Sequence, residues 1–433
     1  SLTSKSVIEY EKNPNYWDKD NVKIDNIKLT FYDGSDQESL IRSFTQGAYT
    51  TARLYPTSSN YASVQKQYKD NIVYSPQDAT SWFYAFNFNR QAYNFTAKTT
   101  DAQKAATNAA MQNKDFRQAI NFAINRTSYG AQQNGEDGAT KILRNTLVPP
   151  TFVQVGDKTF GSVVESDLAS YGDEWKGVKL EDAQDGLYNA DKAKAEFAKA
   201  KEALQAQGVE FPIHLDIPVS QTSTLQVQQT NSIKQSIEAT LGSDNVVIDV
   251  HQASEDNVYN ATYFAATAAQ KDYDIFISAW SPDFQDPSTY LNIFDPDTGD
   301  MVQTIGLEAG QDKELFEKLG LYECQKLTKA AGEEKQDAVA RYTKYAAAQA
   351  WLTDSSLIIP VQSSGGSPRV HRTVPFSEAY SLVGIKGKYG FKYLEVQKDV
   401  VTAKEYEAAE KKWTEEKEKS NAKAQEDLEK HVK

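Results

Sequence analysis

The residues best suited to binding chemistry lie where a predicted strand ends. A run of β-branched and aromatic residues ends at Trp280 and is followed by Ser281 and, after a proline, by Asp283. Open α/β sheets hold their ligands in a crevice outside the ends of strands. Asp283 is therefore predicted to meet a cationic group, with Trp280 as an aromatic wall and the Ser281 backbone as a hydrogen-bonding partner. Two other interpretations stay open: Asp283 caps a turn or a helix that begins near Pro287, and Trp280 belongs to the core.

A second predicted strand, over residues 82–89, carries a dense set of aromatic side chains, among them Trp82, Tyr84 and Phe86. One face of such a strand must pack on the core, and the other can meet protein or ligand. The sequence does not indicate which face is which.

The composition excludes several classes of function. The net charge of −13 makes nucleic acid an improbable partner, because phosphate binding requires a basic surface. The single cysteine, Cys324, excludes an internal disulfide and a thiolate metal cluster, and its helical surroundings predict a packed thiol. No apolar run approaches the ~18 residues that would span a bilayer.

Neither a cofactor nor a catalytic site is predicted. The four histidines are far apart in the sequence and have no metal-ligand spacing: His214, His251, His371 and His431. Neither a phosphate-binding glycine loop nor a nucleophile elbow is present in the sequence. Ser363 and Ser364 have no His–Asp arrangement nearby, and the Asp-rich segment 295–300 lacks the glutamate of a calcium loop.

Alternating helix and strand signals predict an α/β protein. Helices are predicted over 115–126, 191–207, 225–241, 312–330 and 335–352, and strands over 213–217, 246–250, 273–280 and 357–361. The charge-rich tail that follows Thr402 is predicted to be an exposed helix with i,i+4 ion pairs, although a frayed end is nearly as compatible with its composition.

Four segments, in order along the chain, resemble motifs of one family. They are Asn13-Pro14-Asn15-Tyr16-Trp17, the helix 115–126, Trp280-Ser281-Pro282-Asp283 and Ile358-Ile359-Pro360-Val361. Together they resemble the family 5 extracellular solute-binding proteins that serve ATP-driven (ABC) peptide importers. The tail, 421–433, is similar to that of the streptococcal oligopeptide-binding lipoproteins.

The resemblance implies an α/β, bilobal periplasmic-binding-protein type II-like fold with mixed sheets and two crossover hinge strands, at 85–89 and 361–366. It also implies that the first part of lobe I is missing from this sequence. The implied domains are 1–84 as the second passage through lobe I, 85–362 as lobe II, 363–401 as the return to lobe I, and 402–433 as the charged helix or tail.

The function implied by the resemblance is capture of extracellular oligopeptides for delivery to the permease and ATPase subunits of an importer. The family members are monomers held on the outer face of the membrane by an N-terminal lipid, and they are not enzymes. A surface adhesion module on the same fold, and a peptidase, are the alternatives.

The resemblance assigns Asp283 to the α-ammonium group of the peptide. Asn87, Gln362 and Ser363 are polar groups near the implied crossings and are predicted to bond peptide amides, although neighbouring backbone could satisfy them equally well. Some relatives carry an arginine where this chain has Ile277, so selection of one peptide length is not expected here.

Overall fold

The structure, a computed structural model, describes residues 2–3, 6–377 and 391–431. Its strands are β1 (Leu2–Thr3), β2 (Val7–Glu11), β3 (Asn26–Thr30), β4 (Thr51–Arg53), β5 (Val73–Tyr74), β6 (Ser81–Phe86), β7 (Gln154–Val155), β8 (Lys158–Thr159), β9 (Ile213–Ser220), β10 (Val246–Ala253), β11 (Ile275–Trp280), β12 (Ile358–Ser363) and β13 (Pro368–His371). Residues 378–390 of the predicted return to lobe I lie outside the described residues.

The helices are α1 (Glu38–Thr45), α2 (Tyr61–Gln67), α3 (Asp101–Gln112), α4 (Lys114–Ala123), α5 (Arg126–Gly138), α6 (Phe160–Leu168), α7 (Ala190–Ala206), α8 (Thr224–Leu241), α9 (Glu255–Ala261), α10 (Ser288–Leu291), α11 (Lys313–Lys318), α12 (Leu321–Glu333), α13 (Ala338–Ser355) and α14 (Ala403–His431). In the described part of the chain, none of these helices has the length and apolar character needed to cross a bilayer.

Most of the predicted elements are present, and the stretch predicted to be helical over 312–330 is helical but not continuous. It is divided into α11 and α12 at Gly320, whose φ of +76° lies in the left-handed region. A residue in that conformation ends an α-helix, and glycine adopts it without a steric penalty. The charged tail is helical, as α14.

The chain folds into two compact units. The first unit contains Ser1–Pro76 and Ser367–Lys433, and the second unit contains Gln77–Gly366. The predicted lobe II, 85–362, falls inside the second unit. The assignment of the units to lobes, and the hinge role of the two crossings, stay predictions.

The first unit contains two antiparallel sheets, with strand orders β1-β2-β3 and β4-β13-β5. In the second of these sheets, Ala52 on β4 lies opposite Val370 on β13, and both are buried in a core with residues of α1 and α2, such as Phe44 and Val64. Since side chains alternate along a strand, the neighbours of Ala52 and Val370 point to the opposite face.

His371, at the end of β13, is buried on that opposite face. Its Nδ1 lies 2.9 Å from the carbonyl oxygen of Thr373, and its ring meets the Tyr406 ring edge-on at 5.8 Å. Burial, together with the charge of Arg369, lowers the pKa of His371 to about 4. The imidazole is therefore neutral at physiological pH.

The second unit contains a parallel β9–β10 ladder and an antiparallel sheet of order β11-β6-β12. Helix α4 begins at an N-cap, where Asn113 accepts a 2.9 Å hydrogen bond from the amide of Phe116. Phe116 is buried and packs against Phe197 of α7, with the ring centroids 6.3 Å apart. The apolar spacing that predicted this helix thus marks the face that it buries.

A network of buried charges joins the strands of the second unit. Arg90 and Lys98 have fully buried side chains, and they pair with three almost fully buried carboxylates. The Arg90 guanidinium lies 2.7 Å from Asp216, 2.9 Å from Asp272 and 2.9 Å from Asp274. Lys98 lies 2.6 Å from Asp216 and also pairs with Asp274.

Asp216 is the centre of this network. Burial raises the pKa of its carboxyl group. Hydrogen bonds from His251 and Lys98, together with the charge of Lys98, lower it by more, so the net pKa lies well below the ordinary value. The His251 Nε2 is 2.7 Å from Asp216 Oδ1. Asp216 therefore stays ionised inside the protein, where an unpaired carboxylate would be costly.

We expect Lys98→Met to lower the free energy of unfolding by about 3–5 kcal/mol, because Asp216, Asp272 and Asp274 would then share the single charge of Arg90. Urea unfolding of the two proteins measures the difference. Lys326→Met is the matched control, since Lys326 forms an exposed pair with Glu323, and it should change stability little. Equal effects of the two substitutions would contradict a structural role for the network.

We also expect His371 to make stability depend on pH. The folded pKa, about 4, is below the ordinary 6.5, so between these values the unfolded chain binds the proton more readily. The contribution is complete above pH 6.5 and is lost as pH falls towards 4, by about 1–3 kcal/mol. The difference in urea midpoint between wild type and His371→Gln, followed across this range, should show this slope; parallel curves would contradict it.

Candidate functional site

Some of the predicted site residues lie together at one end of the β11-β6-β12 sheet, whereas Tyr84, Phe86 and Asn87 lie towards its other end. Trp82 on the central strand lies opposite Ala279 of β11 and Gln362 of β12. The next position along, Ser81, lies opposite Trp280 and Ser363. Because directly opposite residues share a face of the sheet, Trp82 and Gln362 lie on one face, whereas Trp280 and Ser363 lie on the other.

Asp283 is exposed just beyond the end of β11. No ion pair or hydrogen bond within the described residues involves its carboxylate, whereas its backbone amide donates to Thr289 Oγ1 at 3.1 Å. At the start of α10 it is Asp286, and not Asp283, whose carboxylate accepts a hydrogen bond from the Ser288 amide, at 3.0 Å. The alternative in which Asp283 caps that helix is therefore wrong, and its carboxylate is available to a ligand.

The loop that carries Asp283 is held by a two-point ion pair between Asp286 and Arg341 of α13. Arg341 Nε lies 2.8 Å from Asp286 Oδ2, and Arg341 Nη2 lies 2.9 Å from Asp286 Oδ1. Burial raises the pKa of Asp286, but the hydrogen bonds from Arg341 and Ser288 and the charge of Arg341 together outweigh it, and the net pKa is below the ordinary value. Arg341 also donates to the carbonyl oxygen of Glu334 at 3.1 Å. A planar guanidinium that binds at several points fixes both position and orientation.

The two tryptophans have different hydrogen bonding. Trp82 donates from Nε1 to Ser364 Oγ at 2.9 Å. The Nε1 atom of Trp280 is buried and has no acceptor among the residues that the structure describes. Ser281 is exposed, and its hydroxyl pairs with that of Thr80 at 2.8 Å. Among the described residues, the indole N–H of Trp280 therefore has no acceptor. It is close in the sequence to Asp283, whose carboxylate has no partner among them either.

Three of the predicted binding residues are instead part of the interior of the second unit. Tyr84 is only 3% exposed, and its hydroxyl group bonds to Thr230 and Tyr129. Phe86 is fully buried. Asn87 is 1% exposed; its amide donates to the Lys271 carbonyl at 3.2 Å, and its Oδ1 accepts from the Asn89 amide at 3.1 Å. Protein covers these three residues in this structure, and the binding role predicted for them stays a prediction.

The two polar residues predicted on β12 also have partners within the protein. Ser363 is buried, and its hydroxyl accepts from Gln77 Nε2 at 2.8 Å, so its binding role likewise stays a prediction. Gln362 is half-buried, and its Oε1 accepts from Gln229 at 3.2 Å, which leaves its own amide group without a partner that the structure records. Gln362 stays a candidate, with Trp82 beside it.

Sequence reasoning missed Asp286 and Arg341. Asp286 stands directly before Pro287 and Ser288, an order typical of a helix start, so the cap could have been predicted. Its pairing with Arg341, 55 residues later, leaves no local signal. Among the described residues, no cluster of His, Cys, Asp and Glu could hold a metal ion. Burial raises the pKa of the packed Cys324 thiol to about 12, which leaves it unreactive.

Residues 1–301 match the family described as bacterial extracellular solute-binding proteins, family 5. The chain belongs to this family, as the four motifs predicted.

The chain is 56% identical over its whole length to the oligopeptide-binding protein AliB of Streptococcus pneumoniae. It is also 56% identical to the oligopeptide-binding protein SarA of Streptococcus gordonii. It spans 66% of the length of each of these relatives.

The fold is similar to that of a solved structure, the substrate-binding domain of an oligopeptide ABC transporter from Bacillus anthracis. The TM-score is 0.61 at 19% identity, over 91% of this chain and 63% of that one. The predicted α/β fold class of the substrate-binding proteins is confirmed.

We expect Arg341→Lys to loosen the loop that carries Asp283, because lysine keeps the charge but cannot bind Asp286 at two points. Amide protons of residues 286–292 should exchange about tenfold faster, as measured by hydrogen exchange. Arg42→Lys, at an exposed pair with Asp36, is the control and should leave this segment unchanged. Unchanged exchange in Arg341→Lys would contradict the positioning role.

Proposed function

We propose that the full-length protein captures extracellular oligopeptides and delivers them to the membrane permease of an ABC importer. The observation that carries the proposal is the exposed carboxylate of Asp283, unpaired among the described residues and held on a loop that Arg341 fixes. A peptide with a free amino terminus supplies the cation that this carboxylate lacks. The names of the relatives, which are oligopeptide-binding proteins, support the same ligand class.

The chemistry at Asp283 suits an α-ammonium group. A carboxylate that receives a charge-assisted hydrogen bond, at about 2.8 Å, gains more than a neutral pair does. Trp280 supplies a half-buried aromatic surface and an indole N–H without a partner in the described chain. The ring face can attract the cation, and the N–H can donate to a peptide carbonyl oxygen.

Tolerance of many peptide sequences requires contacts with groups that every peptide shares. Backbone hydrogen bonds of an extended ligand supply such contacts, and water-filled pockets adapt to the side chains. The apolar Ile277, half-buried on β11, provides no charge that would fix the position of a peptide C-terminus. We propose that β11 itself does not select one peptide length.

The remaining parts of the proposal follow from family membership. The protein acts at the outer face of the membrane, where an N-terminal lipid anchors it, and works as a monomeric receptor without catalysis or a cofactor. Mixed peptides incubated with the full-length protein test the class of function. Intact peptides retained by the protein support a receptor, cleavage products support a peptidase, and an absence of bound peptide contradicts the proposal.

We expect Asp283→Asn to weaken binding of a free-amino oligopeptide by about tenfold, because one charge-assisted hydrogen bond is lost. The same peptide with an acetylated amino terminus should bind wild type weakly and should not distinguish the two proteins. Calorimetry of the four combinations measures the coupling. Asp300→Asn, at another exposed acid of the second unit, is the control. Equal affinity of wild type for the free and the acetylated peptide would refute the ammonium role.

A further inference from the structure

Two arginines of the first unit lie side by side, and neither has a counter-ion among the described residues. Arg53 on β4 and Arg369 on β13 are direct partners in the antiparallel register. Their side chains therefore share a face of the sheet, opposite to the face that Ala52 and Val370 bury in the core. Both arginines are half-buried.

Several donors of this pair are unused. The Nε and Nη2 atoms of Arg53 and the Nε atom of Arg369 are buried, and none has a hydrogen-bond acceptor in the described part of the chain. The ion pairs formed by the described residues include neither arginine. The contact recorded for Arg53 is with the Tyr55 ring, 4.9 Å from the guanidinium carbon. Like charges directly opposite each other destabilise a sheet, and buried donors without acceptors add to that cost.

The nearby titratable groups do not compensate the two positive charges. Burial raises the pKa of Tyr32, so its phenol stays neutral. His371, on the same face as Arg369, has its pKa lowered to about 4 by burial and by the Arg369 charge. The carboxylate of Asp36 lies 2.7 Å from Arg42 and is already paired. The face is therefore positive, and it offers N–H donors in the planar fork that matches a carboxylate.

We infer that the Arg53–Arg369 pair is a binding site for a carboxylate group. One anion between the two guanidinium groups offsets their repulsion and accepts the unused N–H bonds. A carboxylate of a bound peptide is the source that we propose, and this step rests on the proposed function.

Sodium acetate is the probe for the site itself. In the full-length protein, acetate should raise the melting temperature beyond the effect of sodium chloride at equal ionic strength, because a ligand stabilises the folded state that binds it. Each of the substitutions Arg53→Lys and Arg369→Lys keeps the positive charge but removes a planar guanidinium group that can donate two N–H bonds to one carboxylate. Each should therefore weaken acetate binding by about tenfold. Arg42→Lys, at a surface pair of the same unit, is the control and should respond as wild type does.

If acetate and chloride raise the melting temperature of wild type equally, the protein has no carboxylate site of the proposed kind. If both lysine variants keep the full acetate effect, a carboxylate site exists but does not lie at Arg53 and Arg369. Either result is independent of peptide binding, so it is distinguishable from a failure of the proposed function.

The source of the carboxylate is tested with an oligopeptide in free-acid and amidated forms. If the peptide supplies the group, wild type should bind the free acid about tenfold more tightly, and Arg369→Lys should lose that preference. If acetate binds but the two peptides bind equally, the peptide is overturned as the source. If wild type binds neither peptide, the proposed function fails while the acetate result stands.

Discussion

The pairing of three buried carboxylates with Arg90 and Lys98 is the constraint on which the second unit depends. Asp216 lies on β9, whereas Asp272 and Asp274 directly precede β11. The Asp216 amide donates to the Asp274 carboxylate at 2.7 Å, and the Asp274 amide donates to the Asp216 carbonyl at 3.0 Å. One charge network thus fixes the start of β11 against the parallel ladder. A strand that starts at a fixed point, and is paired along its length with β6, also ends at a fixed point.

The two ends of β11 illustrate how burial decides the chemistry of a carboxylate. At the buried end, Asp274 has cationic partners, because an isolated charge in the interior would cost several kcal/mol (about 3–5 for a broken pair). At the exposed end, Asp283 is open to water, which solvates its charge, so this carboxylate persists without a partner among the residues that the structure describes. The same residue type stabilises the fold at one end of the strand and is free to bind a ligand at the other.

The parts of the fold and site that the sequence predicted are those with local signals. The apolar spacing of α4 and the strand break at Trp280-Ser281-Pro282-Asp283 are local, and both are present in the structure. The face of β6 could not be predicted, because both faces are covered: Tyr84 contacts Tyr129, and Phe83 packs on Phe294. A strand buried on both sides has no alternation that separates ligand from core.

The charged residues that matter most to the fold and to the proposed ligand were the hardest to predict from the sequence. Lys98 and Asp216 are 118 residues apart, and each is of a type that normally lies on the surface, so sequence reasoning treats both as solvated. The same holds for Arg53 and Arg369, whose juxtaposition depends on the register of β4 with β13. The two sets of cations differ in their partners. Lys98 is paired with buried carboxylates, whereas Arg53 and Arg369 have no acidic partner among the described residues. The protein as a whole is strongly acidic, yet this pair of cations has no acidic partner among the described residues. The net charge of the chain is therefore a weak guide to the charge of its ligand. Charged groups that lack partners at one place are a better guide.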